Sequence, residues 1–487
     1  MNRPITRHAS EPLESGGLTG NTSWGRVVLT LLGLWLTIML AYWLAPQPSS
    51  LQLGDLTPLS LNGYQRLLVL APHCDDETLG SAGLILAAKR AGMQVKVVIA
   101  TNGDGYLFAT IQDFRKVYPR PQDFIHMGEI RQQESLAALV SLGIPKEDVI
   151  FLSYPDRGTP ALWNDHWSPT DPFRSPFSHD TKSPYSLTFD PGAVYAGQDL
   201  LDNLLSILRQ YRPDLVVYPH PDDIHPDHWG LNVFTRLALT LLSHEDQSYQ
   251  PTGITYLVHR PDFPVVRGLR PWDKLVPPPA LYQINSHWYR WDLAPADILT
   301  KDQAIQQYRS QLPLLRSLMV SFVRVNELFA PVQDATLSRL QAGNPSNPAT
   351  WLDASGKSIQ PVQRDPVEDF ISRQALPAGD LVAVYLAQRP DDSLEACLQT
   401  RENSVPELVY LLRLKLLDDR GIVSLTASTG KAVNGRLPAV RKGIYTCTSI
   451  PQTEVKGAWA VYLGATVEGF GRVMDESAWQ MVRISQP

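Results

Sequence analysis

Within five residues the chain sets down His73, Asp75, Asp76 and Glu77, and much later it runs His220-Pro221-Asp222-Asp223-Ile224-His225-Pro226-Asp227-His228. Imidazole nitrogen and carboxylate oxygen are the donors of a hydrolytic zinc centre, which takes three protein ligands and keeps a position for water. His73, Asp76 and His228 are the candidate ligands. Asp75 is a neighbouring base for the proton of a water attacking a carbonyl, and His225 can face the oxyanion or donate to the departing amine. Spacing alone does not divide the roles of Asp75 and Asp76, because adjacent residues in a turn point in different directions. Taken singly, each cluster also reads as ordinary structure, since Asp commonly caps helices and Pro-rich His/Asp turns are often solvated loops. The pair is what points to chemistry.

The elements around the clusters supply the reason to pair them. Arg66–Ala71 is an apolar run fit for a buried parallel strand, and helical spacing follows it in Leu79–Ala91. Further strands are expected at Gln94–Thr101, Asp148–Tyr154, Asp214–Pro219 and Gly253–Val258, with helices at Gly128–Leu142 and Gly197–Gln210. This alternation predicts a Rossmann-like, mostly parallel α/β sheet with helices on both faces. Both polar clusters then follow the carboxyl ends of strands, where such sheets bind ligands. The long stretch between Pro155 and Gly192 carries Trp163, His166 and Trp167. It reads as a lid or binding wall.

On those elements the motifs resemble the LmbE/PIG-L family of zinc-dependent deacetylases, whose members remove N-acetyl or similar groups from glucosamine-containing compounds. The family's His-Pro-Asp-Asp-Glu run is matched by His73-Cys74-Asp75-Asp76-Glu77 except at its second position, and its His-Pro-Asp-His by His225–His228 throughout. The resemblance implies that His73, Asp76 and His228 bind Zn2+, that Asp75 is the general base, that His225 assists the oxyanion and leaving group, and that Asp227 orients a histidine. It further implies substrate contacts from Arg131 and Asp156. Trp163 and His166, in the stretch read as a lid or binding wall, join the expected substrate-binding set. The likeness extends over roughly residues 65–329. Cys74 replaces the usual proline, and its side chain is expected to face the fold. His126, His179 and His259 lack metal spacing and read as structural.

Beyond this domain the sequence divides clearly. Residues 27–45, VVLTLLGLWLTIMLAYWLA, contain no charge. At ~1.5 Å per residue they reach about 28 Å, near the ~30 Å of a bilayer core. Arg3, Arg7 and Arg26 precede the run and no Lys or Arg follows until Arg66, so the positive-inside rule leaves the amino terminus in the cytoplasm and the rest extracytoplasmic. The expected order is a tail (1–26), a transmembrane helix (27–45), a tether (46–64), the α/β domain (65–335), a linker (336–374) and a C-terminal all-β sandwich (375–487). Short apolar runs between Leu381 and Ile484 carry the last assignment. Cys397 and Cys447 fall in it and can pair outside the cytoplasm. A net charge of -6 offers nothing to attract nucleic acid. The functional expectation is a membrane-anchored zinc hydrolase removing an N-acetyl group from an amino-sugar glycan or glycoconjugate, the sandwich holding the polymer. Two alternatives stand beside it: an amidase for another amide such as a thiol conjugate, and a non-catalytic glycan-binding protein on the same fold.

Overall fold

The computed structural model describes residues 56–484 apart from 117, 368–375 and 431–435. The apolar run 27–45, with its tail and most of its tether, lies outside the described residues; among these no helix is long and apolar enough to cross a membrane.

The first sheet orders its strands β1-β7-β8-β6-β5-β2-β3-β4, where β1 is Thr57–Pro58, β2 Arg66–Ala71, β3 Gln94–Thr101, β4 Val149–Tyr154, β5 Leu215–Pro219, β6 Thr252–Tyr256, β7 Tyr289–Asp292 and β8 Asn326–Pro331. From β6 to β4 all neighbours are parallel, while β8 joins both β6 and β7 antiparallel. The central strand explains its own composition. Leu67, Val69 and Ala71 enter one core with Leu84, Ile85 and Ala88 of helix Asp76–Arg90, whereas Leu68 and Leu70 enter the other with Leu200, Leu204 and Phe234 of helices Gly197–Tyr211 and Pro226–Glu245. A strand buried on both faces has no polar side to show, hence the unbroken apolar run.

The order also brings the clusters together. β2 is hydrogen-bonded to β3 on one side and β5 on the other, so the chain leaves β2 in one direction and returns on its opposite flank. The loops after β2 and β5 are therefore neighbours at a switch point, the crevice-forming position of an open α/β sheet.

Helix Asp76–Arg90 breaks its regular geometry at Ser81 (φ -148°). Glu327 accepts the N–H groups of Gly83 (2.8 Å) and Leu84 (3.0 Å) just beyond, and the buried Lys301 Nζ reaches Glu327 Oε1 (2.7 Å) and the Leu79 carbonyl (2.8 Å). Tyr308 completes the brace, donating to Glu77 Oε1 (2.8 Å) with Thr78 Oγ1 at 2.6 Å. The helix that begins with Asp76 is thus fixed from behind.

Residues from Ala335 onward form two further sheets. One contains Leu381–Gln388, Leu394–Thr400 and Tyr445–Ile450; the other contains Gly421–Ser428, Val409–Asp418, Ala460–Gly469 and Gln480–Arg483. Their inner faces share a core of Leu386, Leu398, Tyr410, Leu414, Leu463 and others. Cys397 and Cys447 are direct register partners and form a disulfide. The stretch expected to be a linker is instead part of this domain over its described length. Ser338–Arg339 and Gln363–Arg364 both pair with Leu381–Gln388, and Trp351 is fully buried with Leu340, Ile359 and the two cysteines.

The two domains share apolar contacts. Leu417, Tyr462, Trp479 and Met481 belong to the same core as Leu204 and Phe234. Trp163 lies at the join, edge-on to Phe234, Tyr462 and Trp479 at 5.0, 6.1 and 5.3 Å. Lys415 Nζ sits over the rings of Trp167 (4.0 Å) and Trp163 (4.8 Å).

Candidate active site

Pro72 ends β2, and the turn to helix Asp76–Arg90 delivers the first cluster. Asp76 is fully buried, and its Oδ2 accepts the His73 N–H at 3.0 Å, closing the turn on itself. The same oxygen stands 3.0 Å from His73 Nδ1 and 3.0 Å from His228 Nε2. Each ring has its other nitrogen against a second carboxylate: His73 Nε2 is 3.2 Å from Asp227 Oδ2, and His228 Nδ1 is 3.0 Å from Asp223 Oδ2. Both nitrogens of each ring therefore face a carboxylate, and those carboxylates raise both rings, His228 to about 9, against the cost of burial. A cation beside Asp76 would replace the inner proton of each ring and leave the outer one toward Asp227 or Asp223.

Backbone groups fix those outer carboxylates. Asp227 accepts from Arg157 N (2.6 Å), Thr159 N (3.1 Å) and Thr159 Oγ1 (2.8 Å), with Arg157 in the left-handed region at φ 57° to turn its N–H inward. Asp223 accepts from Val258 N (3.0 Å), His259 N (2.9 Å) and His225 N (3.0 Å). The donor set suits a cation. Asp75, Asp76, Asp156, Asp223 and Asp227 are all buried, and Asp76 Oδ1 and Asp156 Oδ1 have no hydrogen-bond partner among the described residues. Sets whose ligand atoms lie within 4.8 Å of one another include His73/His225/His228, Asp76/His228/His259 and His73/Asp156/Asp227.

Asp75 faces elsewhere. Its Oδ2 is 3.4 Å from Arg131 Nη2, and Arg131 Nη1 donates to the Gly103 carbonyl at 2.7 Å. Burial raises the Asp75 carboxyl above its ordinary range while Arg131 opposes that rise. Gly103, at φ 62°, is required here because a Cβ would collide with the Arg131 guanidinium. Burial, with the charges of the neighbouring rings, holds His225 well below the usual imidazole range. Its Nδ1 accepts the Asp227 N–H (3.3 Å), which leaves the proton of the neutral ring on Nε2.

Other residues named from sequence lie in different settings. Asp156 borders the cluster, accepting from Gly105 N (2.8 Å) with Oδ1 3.5 Å from His73 Nε2. Arg131 is buried against Asp75 rather than presented on an open surface. Trp163 has no exposed surface and packs the domain junction, so it does not line a wall of the crevice. His166 turns Nδ1 to the Asp171 carbonyl at 3.0 Å, beside the Phe173 ring. Cys74 is buried in the core and its thiol is pushed up by that burial. Sequence reasoning missed two members of the cluster. Asp223 holds His228, and His259, read as structural, lies 4.4 Å ring to ring from His228. The usable signal for His259 was its place just past β6, the next parallel strand after β5.

The model of the GlcNAc-PI de-N-acetylase (PIG-L) family matches residues 68–239, so the α/β part carries a PIG-L (LmbE-like) domain. Over 200 residues the chain is 28% identical to a protein named 1D-myo-inositol 2-acetamido-2-deoxy-alpha-D-glucopyranoside deacetylase from Corynebacterium urealyticum, covering 40% of this chain and 53% of that one. A protein of the same name from Mycobacterium sp. (strain KMS) is 30% identical over 187 residues, 38% of this chain and 53% of its own. The chain spans about half the length of these curated relatives. An N,N'-diacetylchitobiose deacetylase structure from Pyrococcus horikoshii aligns at 19% identity and a TM-score of 0.34, over 56% of this chain and 85% of that chain.

Proposed function

We propose that the chain is a zinc-dependent N-deacetylase of an amino-sugar-containing substrate, anchored by residues 27–45 with its catalytic domain on the extracytoplasmic side. The observation that carries the reading is the convergence of His73 Nδ1 and His228 Nε2 on one oxygen of Asp76, each 3.0 Å away. The names of the curated relatives support an acetamido sugar as substrate class.

His73, Asp76 and His228 would hold the zinc. When bound, it supplies an acidified water and polarises the amide carbonyl. The chain's own groups do the rest. Asp227 and Asp223 keep the two imidazoles turned with their lone pairs inward. Asp75, buried and steadied by Arg131, takes the proton of the attacking water and can return it to the departing amine. His225 donates from Nε2–H to the developing oxyanion, a task the neutral ring performs.

Anchoring and orientation rest on the uncharged run 27–45 and the arginines before it. The Cys397–Cys447 disulfide lends support, since such bonds persist in oxidising compartments. The test is acetate release by the zinc-loaded full chain from N-acetylglucosaminyl-inositol and N-acetylated oligosaccharides. Release from one or more of them is expected; none from any, with zinc bound, overturns the reading.

A further inference from the structure

A cleft of about 440 Å³ separates the two domains on the side of the second motif loop. The loop that sends Asp223 and His225 into the cluster also gives Asp222 and Ile224 to this cleft, and Arg157, whose N–H holds Asp227, lies on its wall. The opposite wall belongs to the second domain, with Arg413, Glu468, Val473 and Glu476. The cleft therefore abuts the deacetylase cluster, and neither domain makes it alone.

Its charged groups differ in how they are engaged. Arg413 is already engaged, with Asp165 at 3.6 Å and Glu468 at 3.5 Å. Asp222 is not. Its side chain is only 10% exposed, yet its carboxylate accepts no hydrogen bond from the described residues. His220 Nδ1 stands 3.6 Å away but accepts the Asp222 N–H (3.1 Å), so it offers no proton to the carboxylate. Burial pushes His220 down to about 3 and Asp222 up to about 6, leaving a neutral ring beside an ionised carboxylate at neutral pH. The Arg260 and Arg236 guanidiniums oppose the rise of Asp222, but Arg260 Nη1 donates to the Asp222 main-chain carbonyl (3.2 Å) and Arg236 Nη1 to the Trp479 carbonyl (2.8 Å), so among the described residues the carboxylate oxygens are left without a donor. Trp229, half-buried on the same wall, offers an aromatic surface for a sugar ring.

We propose that this interdomain cleft is a subsite for a protonated amino sugar, binding through Asp222 the free 2-ammonium group of a unit next to the one being deacetylated. The inference rests on the amino-sugar deacetylase reading and adds a preference for partly deacetylated chains. The product of one hydrolysis, an ammonium, then has a place beside the site of the next.

The test measures binding of the β-1,4-linked glucosamine trimer and the fully N-acetylated trimer to the zinc-loaded full chain by titration calorimetry. The parent should bind the amine trimer about tenfold more tightly, the usual worth of one charge-assisted hydrogen bond. Asp222→Asn should abolish that preference. Val473→Trp, at a position 47% exposed on the cleft, should weaken the amine trimer by a similar factor without touching the core. Both variants should release acetate from a single N-acetylglucosamine unit as the parent does. Equal or no binding of the two trimers by the parent, or a preference that survives either variant, overturns the proposal; Val473→Trp decides alone should Asp222→Asn fail to fold. Loss of the deacetylase reading is separable: amine preference without acetate release from any amide would remove the reaction and keep the subsite.

Discussion

Asp75 and Asp76 are consecutive, yet their carboxylates face different partners: Asp75 Oδ2 lies 3.4 Å from Arg131 Nη2, and Asp76 Oδ2 3.0 Å from His228 Nε2. Under the proposed zinc hydrolysis, that separation gives proton transfer to Asp75 and ligation to Asp76. Asp75→Asn should therefore keep its zinc and its fold while turnover falls by about two to four orders of magnitude, the worth of a positioned base. Asp76→Ala and His228→Ala should instead lose zinc, as removing a ligand reopens the site to water. Metal analysis beside acetate release distinguishes them; zinc shed by Asp75→Asn and kept by Asp76→Ala would reverse the assignment.

The helix carrying Asp76 depends on a buried ion pair at its rear. Lys301 and Glu327 are 0% and 1% exposed, and Glu327 also accepts two backbone N–H groups beyond the Ser81 break. Lys301→Met leaves that carboxylate buried without its countercharge, a change that costs about 3–5 kcal/mol. Urea unfolding should show a lower midpoint with an unchanged slope. An unaltered midpoint would show that the brace contributes nothing to the fold.

How much of this was legible in sequence depends on how local the cause is. Arg66–Ala71 was readable to the residue because double burial leaves an uninterrupted apolar run after Arg66, and Gln94–Thr101 because only Lys96 breaks the apolar residues between its polar ends. The motif loops were readable because their chemistry is concentrated in a few residues. Trp163 was not, since its environment is made by Lys415, Tyr462 and Trp479, distant in sequence. Strand Leu394–Thr400 was hidden by Glu395, whose burial is explained only by Arg389 (2.9 Å) and Ser449 (2.8 Å). The same holds for Trp351, whose core partners include the disulfide. A linker composition concealed a packed segment.

The proposed membrane topology rests on the arginines before residue 27. Protease added to intact cells should degrade the chain beyond residue 47 and spare an epitope placed before Arg26. Protection of the larger part would overturn the outward orientation.

The second domain was expected to act as a module that holds polymer, and the shared core changes what a cut does. Removing residues from 375 onward bares the surface that Tyr462, Trp479 and Met481 cover, so the remaining part should aggregate or melt at lower temperature. Trp163→Ala probes the junction without a cut, and truncating a fully buried aromatic costs about 3–5 kcal/mol. Calorimetry that shows no loss in Trp163→Ala would separate the domains energetically.

Lys415 makes that junction sensitive to pH. Its ammonium is buried between Trp163 and Trp167 with Ser424 Oγ at 2.9 Å, and burial, aided by Arg413, pushes its pKa from 10.5 down to about 7 while Asp165 opposes. Between about pH 7 and about pH 10.5 the unfolded lysine is protonated and the folded one is not, so unfolding takes up a proton. Stability should then rise with pH through that window by up to ~1.4 kcal/mol per unit and lose this slope below it. Lys415→Met carries no proton in either state and should flatten the dependence while the remaining groups titrate as before. Denaturant unfolding of parent and variant from about pH 6 to about pH 9.5 reads the difference directly. Parallel curves for the two proteins would mean that Lys415 stays charged in the folded chain, held by the two indole faces against the cost of burial.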